Sequence, residues 1–130
     1  GRGGGRRWRG VYGAGCDRAR RAFPARPWSA RVAVAGRRGG TIQEGLALAE
    51  LHGPTTSQEH ILATGLGLGG GTDVNPSGGA LAADTLMAAG LVRIAEAARR
   101  ISSGGADRAL AHATSGPCLQ QNLVCVLEGE

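Results

Sequence analysis

The chain has 130 residues, 24 of them glycine, and all 15 of its basic residues are arginine. Its formal charge of +5 is unevenly held: residues 1–40 carry eleven arginines against Asp17 alone, a balance of +10, while residues 41–130 carry four arginines against nine acids, a balance of −5. That length suits a single domain with its own core, the odd count of three cysteines (Cys16, Cys118 and Cys125) argues against a disulfide framework, and no apolar run approaches the roughly 20 residues of a membrane span.

Residues 1–40 hold no sustained period, because Gly3-Gly4-Gly5, Pro24, Pro27 and Gly39-Gly40 interrupt each candidate element. Arg31-Val32-Ala33-Val34-Ala35 reads as a short strand or the remnant of a helix. The pI near 10.4 describes this third of the chain only. Arginines paired with phosphates release counterions and would bind nucleic acid. Such an arm needs a folded reader or a repeated motif, and neither is visible, so no nucleic-acid partner is expected. Gly, Arg, Ala and Pro are what G/C-rich codons encode, and the expectation for 1–40 is a disordered or non-native segment. It has the arginine content of a transit peptide without the amphipathic period, and it lacks the apolar region of a secretory signal. A reducing cytoplasm is therefore expected.

Ordered sequence is expected from Gly40 onward. Leu46 to His52 reads as a strand entering a turn at Gly53-Pro54. Thr56-Ser57-Gln58-Glu59 has the form of a capping box, which predicts a helix through Ile61 and Leu62 that stops at the glycines from Gly65 to Gly71. Asn75-Pro76-Ser77-Gly78-Gly79 reads as a loop, with Ser77 as N-cap of a long helix over 79–102. Met87, Leu91, Ile94, Ala98 and Ile101 recur at helical spacing and predict its buried face, with Arg93, Glu96, Arg99 and Arg100 outside. Strands are predicted at 108–114 and 122–128, close enough in sequence for an antiparallel hairpin, the second an apolar run suited to a strand covered on both faces. The whole reads as an α/β layered half-domain, with a sheet too small to cover both faces alone.

Three stretches resemble the thiolase superfamily, in its SCP-x and lipid-transfer-protein branch. They are Ala49-Glu50-Leu51-His52-Gly53-Pro54 followed by Gln58-Glu59, Val74 to Ala82 around the Asn-Pro-Ser-Gly-Gly loop, and Ala111 to Asn122 leading into Leu123–Glu128. Their order and spacing are those of the family's C-terminal half, matched over about residues 41–130. The resemblance implies a thiolase-like C-terminal domain: a layered α/β sheet with a buried long helix, in a full-length parent that is a homodimer or hetero-oligomer. The parent would make or break C–C bonds on acyl-CoA in lipid or steroid metabolism, as an acetyl-CoA acetyltransferase does. Coenzyme A enters as the substrate's thioester, and neither a cofactor nor a metal is expected. The nucleophilic cysteine belongs to the family's N-terminal half, so the chain is expected to be an inactive fragment.

Carried over residue by residue, the resemblance makes His52, His112 and Cys118 the catalytic candidates and Asn75, Ser77, Gly78 and Gly79 the substrate-binding ones. His52 falls where a side-chain donor helps to form an oxyanion hole, although a satisfied histidine at a strand end explains it equally well. His112 matches a family histidine, and Cys118 lies in the right hairpin turn without the usual glycine cluster. Cys125 reads as packing and His60 as solvated. The family's acid–base histidine has no counterpart, since Asp84 or Thr85 stands in its place, and neither replaces an imidazole at neutral pH. Two readings follow: a thiolase-like acyltransferase fragment, or a non-catalytic acyl-CoA or lipid-binding module that keeps the fold. Cys16, among arginines that would lower its pKa, is a formal rival nucleophile in an unrelated sequence context.

Overall fold

A computed structural model describes residues 8–15, 45–115 and 121–129. Five strands form one mixed sheet, in the order β1-β5-β4-β2-β3. They are β1 (Trp8–Gly15), β2 (Leu48–Glu50), β3 (Asp73–Val74), β4 (Arg108–Ser115) and β5 (Gln121–Gly129). Strand β2 runs parallel to both β3 and β4, and β5 runs antiparallel to both β4 and β1. The predicted hairpin is present, one residue longer at three of its four strand ends, with Leu110 opposite Val126 and His112 opposite Val124.

Alternation along the strands builds two cores. Ala49, Leu51, Leu110, Val124 and Val126 pack with Leu62 and Leu66 of helix α1 (Thr56–Leu66) on one face. Leu48, Ala109, Ala111, Cys125 and Leu127 pack with Ala97 and Ile101 of helix α3 (Ala89–Ser102) on the other. Burial on both faces explains why β2 and β5 read as continuous apolar runs rather than alternating ones.

Several local expectations shift. The N-cap of α1 is Thr55 rather than Thr56: its hydroxyl accepts from the Gln58 amide, and Glu59 turns instead to Asn75. Gly67 closes this helix in the left-handed conformation, as the glycine run predicts. The long helix over 79–102 is not continuous. A single turn, α2 (Gly79–Ala82), is followed by extended Ala83 and a 3₁₀ turn at Leu86–Ala88 before α3 begins. Asp84 is the local cause, because its carboxylate accepts from the Leu86 amide and offers the backbone an alternative to the helix. Ser77 is not the N-cap; Gly78 takes that position at φ 91°.

The buried stripe of α3 is also different. Ala89, Arg93, Ala97 and Ile101 face inward, whereas Met87 and Leu91 are 100% and 70% exposed. Ile94 and Ala98 lie at the margin of the core. Small residues decide this orientation: a Cβ on Gly90 would stand 2.5 Å from the Ala113 Cβ, so the helix approaches β4 through its glycine. Within residues 1–40, where no lasting element is expected, Trp8–Gly15 forms an edge strand paired with β5. The candidate strand at 31–35 and the boundary at Gly40 lie outside the described residues.

Candidate functional site

Parallel strands bring their carboxyl ends together, and open α/β sheets use that edge to bind ligands. Here β2 delivers His52, β3 delivers Asn75, and β4 runs on past the last residue of β2. Pairing between β2 and β4 stops at Glu50 and Ala111, and the ring of half-buried His52 then takes the place of a strand. Its Nδ1 accepts from the Thr114 amide at 3.4 Å. A ring accepting at Nδ1 is neutral and carries its proton on Nε2. Burial lowers the His52 pKa, the carboxylate of Asp84 opposes that shift, and the Arg93 guanidinium adds to it. At neutral pH His52 is thus an uncharged N–H donor at the sheet edge.

The Asn75–Gly79 loop beside it is held from within. Asn75, at φ 51°, accepts from the Leu51 amide through Oδ1 and donates to Glu59 through Nδ2 at 2.6 Å. Ser77 Oγ donates to Glu50 at 2.6 Å and accepts from Arg93 Nη1 and the Gly79 amide, which uses one donor and two acceptors. The amides of Ser77 and Gly78 are taken by Glu50 and by the Asn75 carbonyl. Both glycines have packing reasons. A Cβ on Gly79 would meet the Asn75 amide at 2.7 Å, and one on Gly78 would meet Ala82 at 2.6 Å. The four residues expected to bind substrate therefore form a wall at the end of β2, where His52 follows Leu51, with their amide and side-chain polar groups hydrogen-bonded within the fold.

Beneath that wall lies a charge pair that sequence reasoning missed. Glu50 is fully buried on β2 and meets Arg93 of α3 at 3.3 Å, with the guanidinium also enclosed. Buried charges persist only when paired and hydrogen-bonded. The available signal was a glutamate inside an apolar strand and an arginine between apolar helix positions. The bond from Asn75 to Glu59, in place of a capping box, and the pairing of Asn122 with His112 were also missed.

His112 is brought near but is sealed. Its ring is fully buried on the α1 side of the sheet, and Nε2 lies 3.1 Å from Asn122 Oδ1. Nδ1 has no partner among the described residues. Burial drives its pKa down to about 4, and the nearby His52 adds to the fall. Such a ring does not reach a ligand in this conformation. Cys118 and Cys16 lie outside the described residues, Cys125 is buried with its thiol pKa raised by desolvation, and His60 is exposed on α1. Among the described residues no group of three or more His, Cys, Asp or Glu side chains is placed to hold a metal, and no helix is long and apolar enough to cross a membrane. Comparison with family models, curated proteins and solved structures finds no match to this chain.

Proposed function

We propose that this chain is part of a thiolase-like acyltransferase and that His52 contacts the carbonyl oxygen of an acyl-CoA thioester. The observation that supports this most directly is the state of His52: neutral, anchored through Nδ1 to Thr114, and left with an Nε2–H donor at the carboxyl edge of parallel strands. A fixed, uncharged donor suits a carbonyl oxygen on which negative charge develops. The glycine-containing wall beside it gives backbone rather than bulky side chains to the approaching group. On this reading the group that attacks the carbonyl is a cysteine thiolate, as in the family's other half.

A second reading has its own support. His112 is sealed, and Asp84 or Thr85 stands where the family has a histidine, which leaves His52 as the candidate imidazole of this site. A site with one imidazole donor and no second imidazole to move protons suits a carrier that binds acyl-CoA or lipid without turning it over.

Titration of the chain with acetyl-CoA, followed on the ring ¹⁵N signals of His52, tests both readings. Binding should perturb Nε2, and His52→Ala should weaken it by up to about tenfold, the loss of one good hydrogen bond. Equal binding by parent and variant would remove His52 from the site. Turnover that disappears on Cys16→Ser would place the nucleophile within this chain and exclude the carrier.

A further inference from the structure

Arg93 is an anomaly in its own helix. Its inward neighbours, Ala89, Ala97 and Ile101, are apolar, and its guanidinium is buried with Nε unpartnered among the described residues. A buried ion pair is weak evidence for stability, since apolar residues of like volume are often as stable or more so. A side chain this incompletely satisfied is therefore better explained by what it holds in place. Nη1 reaches both Glu50 Oε2 at 3.3 Å and Ser77 Oγ at 3.0 Å, so one guanidinium ties α3 to the end of β2 and to the loop after β3. Glu50 completes the clamp by accepting from the Ser77 amide and hydroxyl.

We infer that Arg93 is a positioning residue for the His52 site, holding the Ser77–Gly79 wall against the carboxyl edge of the sheet through Ser77 and Glu50. Glu50 orients the hydroxyl of Ser77, which fixes the Gly79 amide, while Arg93 holds that carboxylate and hydroxyl in register. The device extends the thioester reading, because it explains how a loop with no free donor still shapes that site. The groups facing His52 are Arg93 from α3, Asp84 from the segment before it, and His112 from β4. Removing one positive charge there moves its titration in a known direction.

The test uses the full chain with Arg93→Met, Arg93→Lys and Ser77→Ala, read by amide hydrogen exchange and by His52 titration. Arg93→Met should speed exchange at Ser77, Gly78 and Gly79 by about tenfold or more while Leu110 and Val126 keep their protection, the pattern of local rather than global opening. The His52 midpoint should rise in Arg93→Met and return toward the parent value in Arg93→Lys, which restores the charge. Ser77→Ala leaves the ion pair intact and should loosen the loop alone, so the proposal remains testable if Arg93→Met does not fold. Unchanged loop exchange in Ser77→Ala, or loop and core loosening together in Arg93→Met, would overturn it. S-acetyl-N-acetylcysteamine, a thioester without phosphates, separates this inference from the reading it rests on. If the loop and His52 respond as described but the parent chain does not bind this probe, the clamp stands and the thioester reading falls.

Discussion

Two histidines, His52 at the edge of the sheet and His112 inside it, show what the surroundings of a single side chain decide here. His112 is enclosed and neutral, with its pKa lowered to about 4 against 6.5 in an open chain. Because the folded value is the lower one, its stabilising contribution is complete above the unfolded pKa and is lost as pH falls toward 4. The full shift corresponds to about 3 kcal/mol. Urea denaturation should accordingly show stability falling between about pH 6.5 and 4, and a His112→Gln chain, if folded, should show less of that slope. Gly79 offers a second residue-scale test. At φ 60° and with Asn75 at 2.7 Å from any added Cβ, Gly79→Ala combines strain with a clash against a side chain already hydrogen-bonded at both ends. The expected cost is about 1–3 kcal/mol by thermal or urea unfolding.

At the scale of the element, α3 separates propensity from packing. Alanine is favoured over glycine inside a helix by up to about 1 kcal/mol. Gly90→Ala should nonetheless destabilise the chain, because the new methyl would stand 2.5 Å from the Ala113 Cβ, and overpacking costs about 1–3 kcal/mol. Adding Ala113→Gly should recover part of the loss, a coupling that a double-mutant cycle measures. The two apolar stripes of the helix give a further contrast. Leu91 is 70% exposed, so Leu91→Glu should change the stability of this chain by no more than about 0.5 kcal/mol. Ile101 is 1% exposed, and Ile101→Ala should cost about 2–5 kcal/mol.

Among the described residues, charged side chains meet in pairs: Arg93 with Glu50, Arg99 and Arg100 with Glu96, and Arg108 with Glu128. Glu50, Glu59 and Asp84 lie toward the edge that carries His52, and Arg93 is matched there by Glu50. Arg99 and Arg100 sit in the last turn of α3 and Arg108 at the start of β4, which is the opposite end of that strand from Thr114. Strand β1 completes the sheet through eight aligned pairs with β5, from Trp8 opposite Gly129 to Gly15 opposite Asn122. Removing residues 1–15 would make β5 the edge strand in place of β1, so that the apolar run Leu123–Leu127 lies along an open edge of the kind that recruits other chains. The truncated chain should therefore show concentration-dependent association by sedimentation where the full chain shows less.

The α/β class, the α1 region, the Asn75–Gly79 loop and the closing hairpin were legible in the sequence because each rests on local signals. These are turn residues, a threonine cap, glycines after a helix and an apolar run flanked by polar residues. What tertiary structure alone decided was which side of α3 turns inward, and what Glu50, Arg93 and Asn122 are for. Hydrophobic periodicity weighs every apolar position alike. It cannot register that Gly90 admits Ala113, nor that a glutamate 43 residues earlier in the chain makes burial of an arginine tolerable. Likewise His52 and His112 are the same residue type, each following an apolar stretch of sequence. Only the end of β2 at Glu50 leaves one ring at an edge beside Thr114, while the sheet encloses the other, because burial depends on neighbours that the local sequence does not contain.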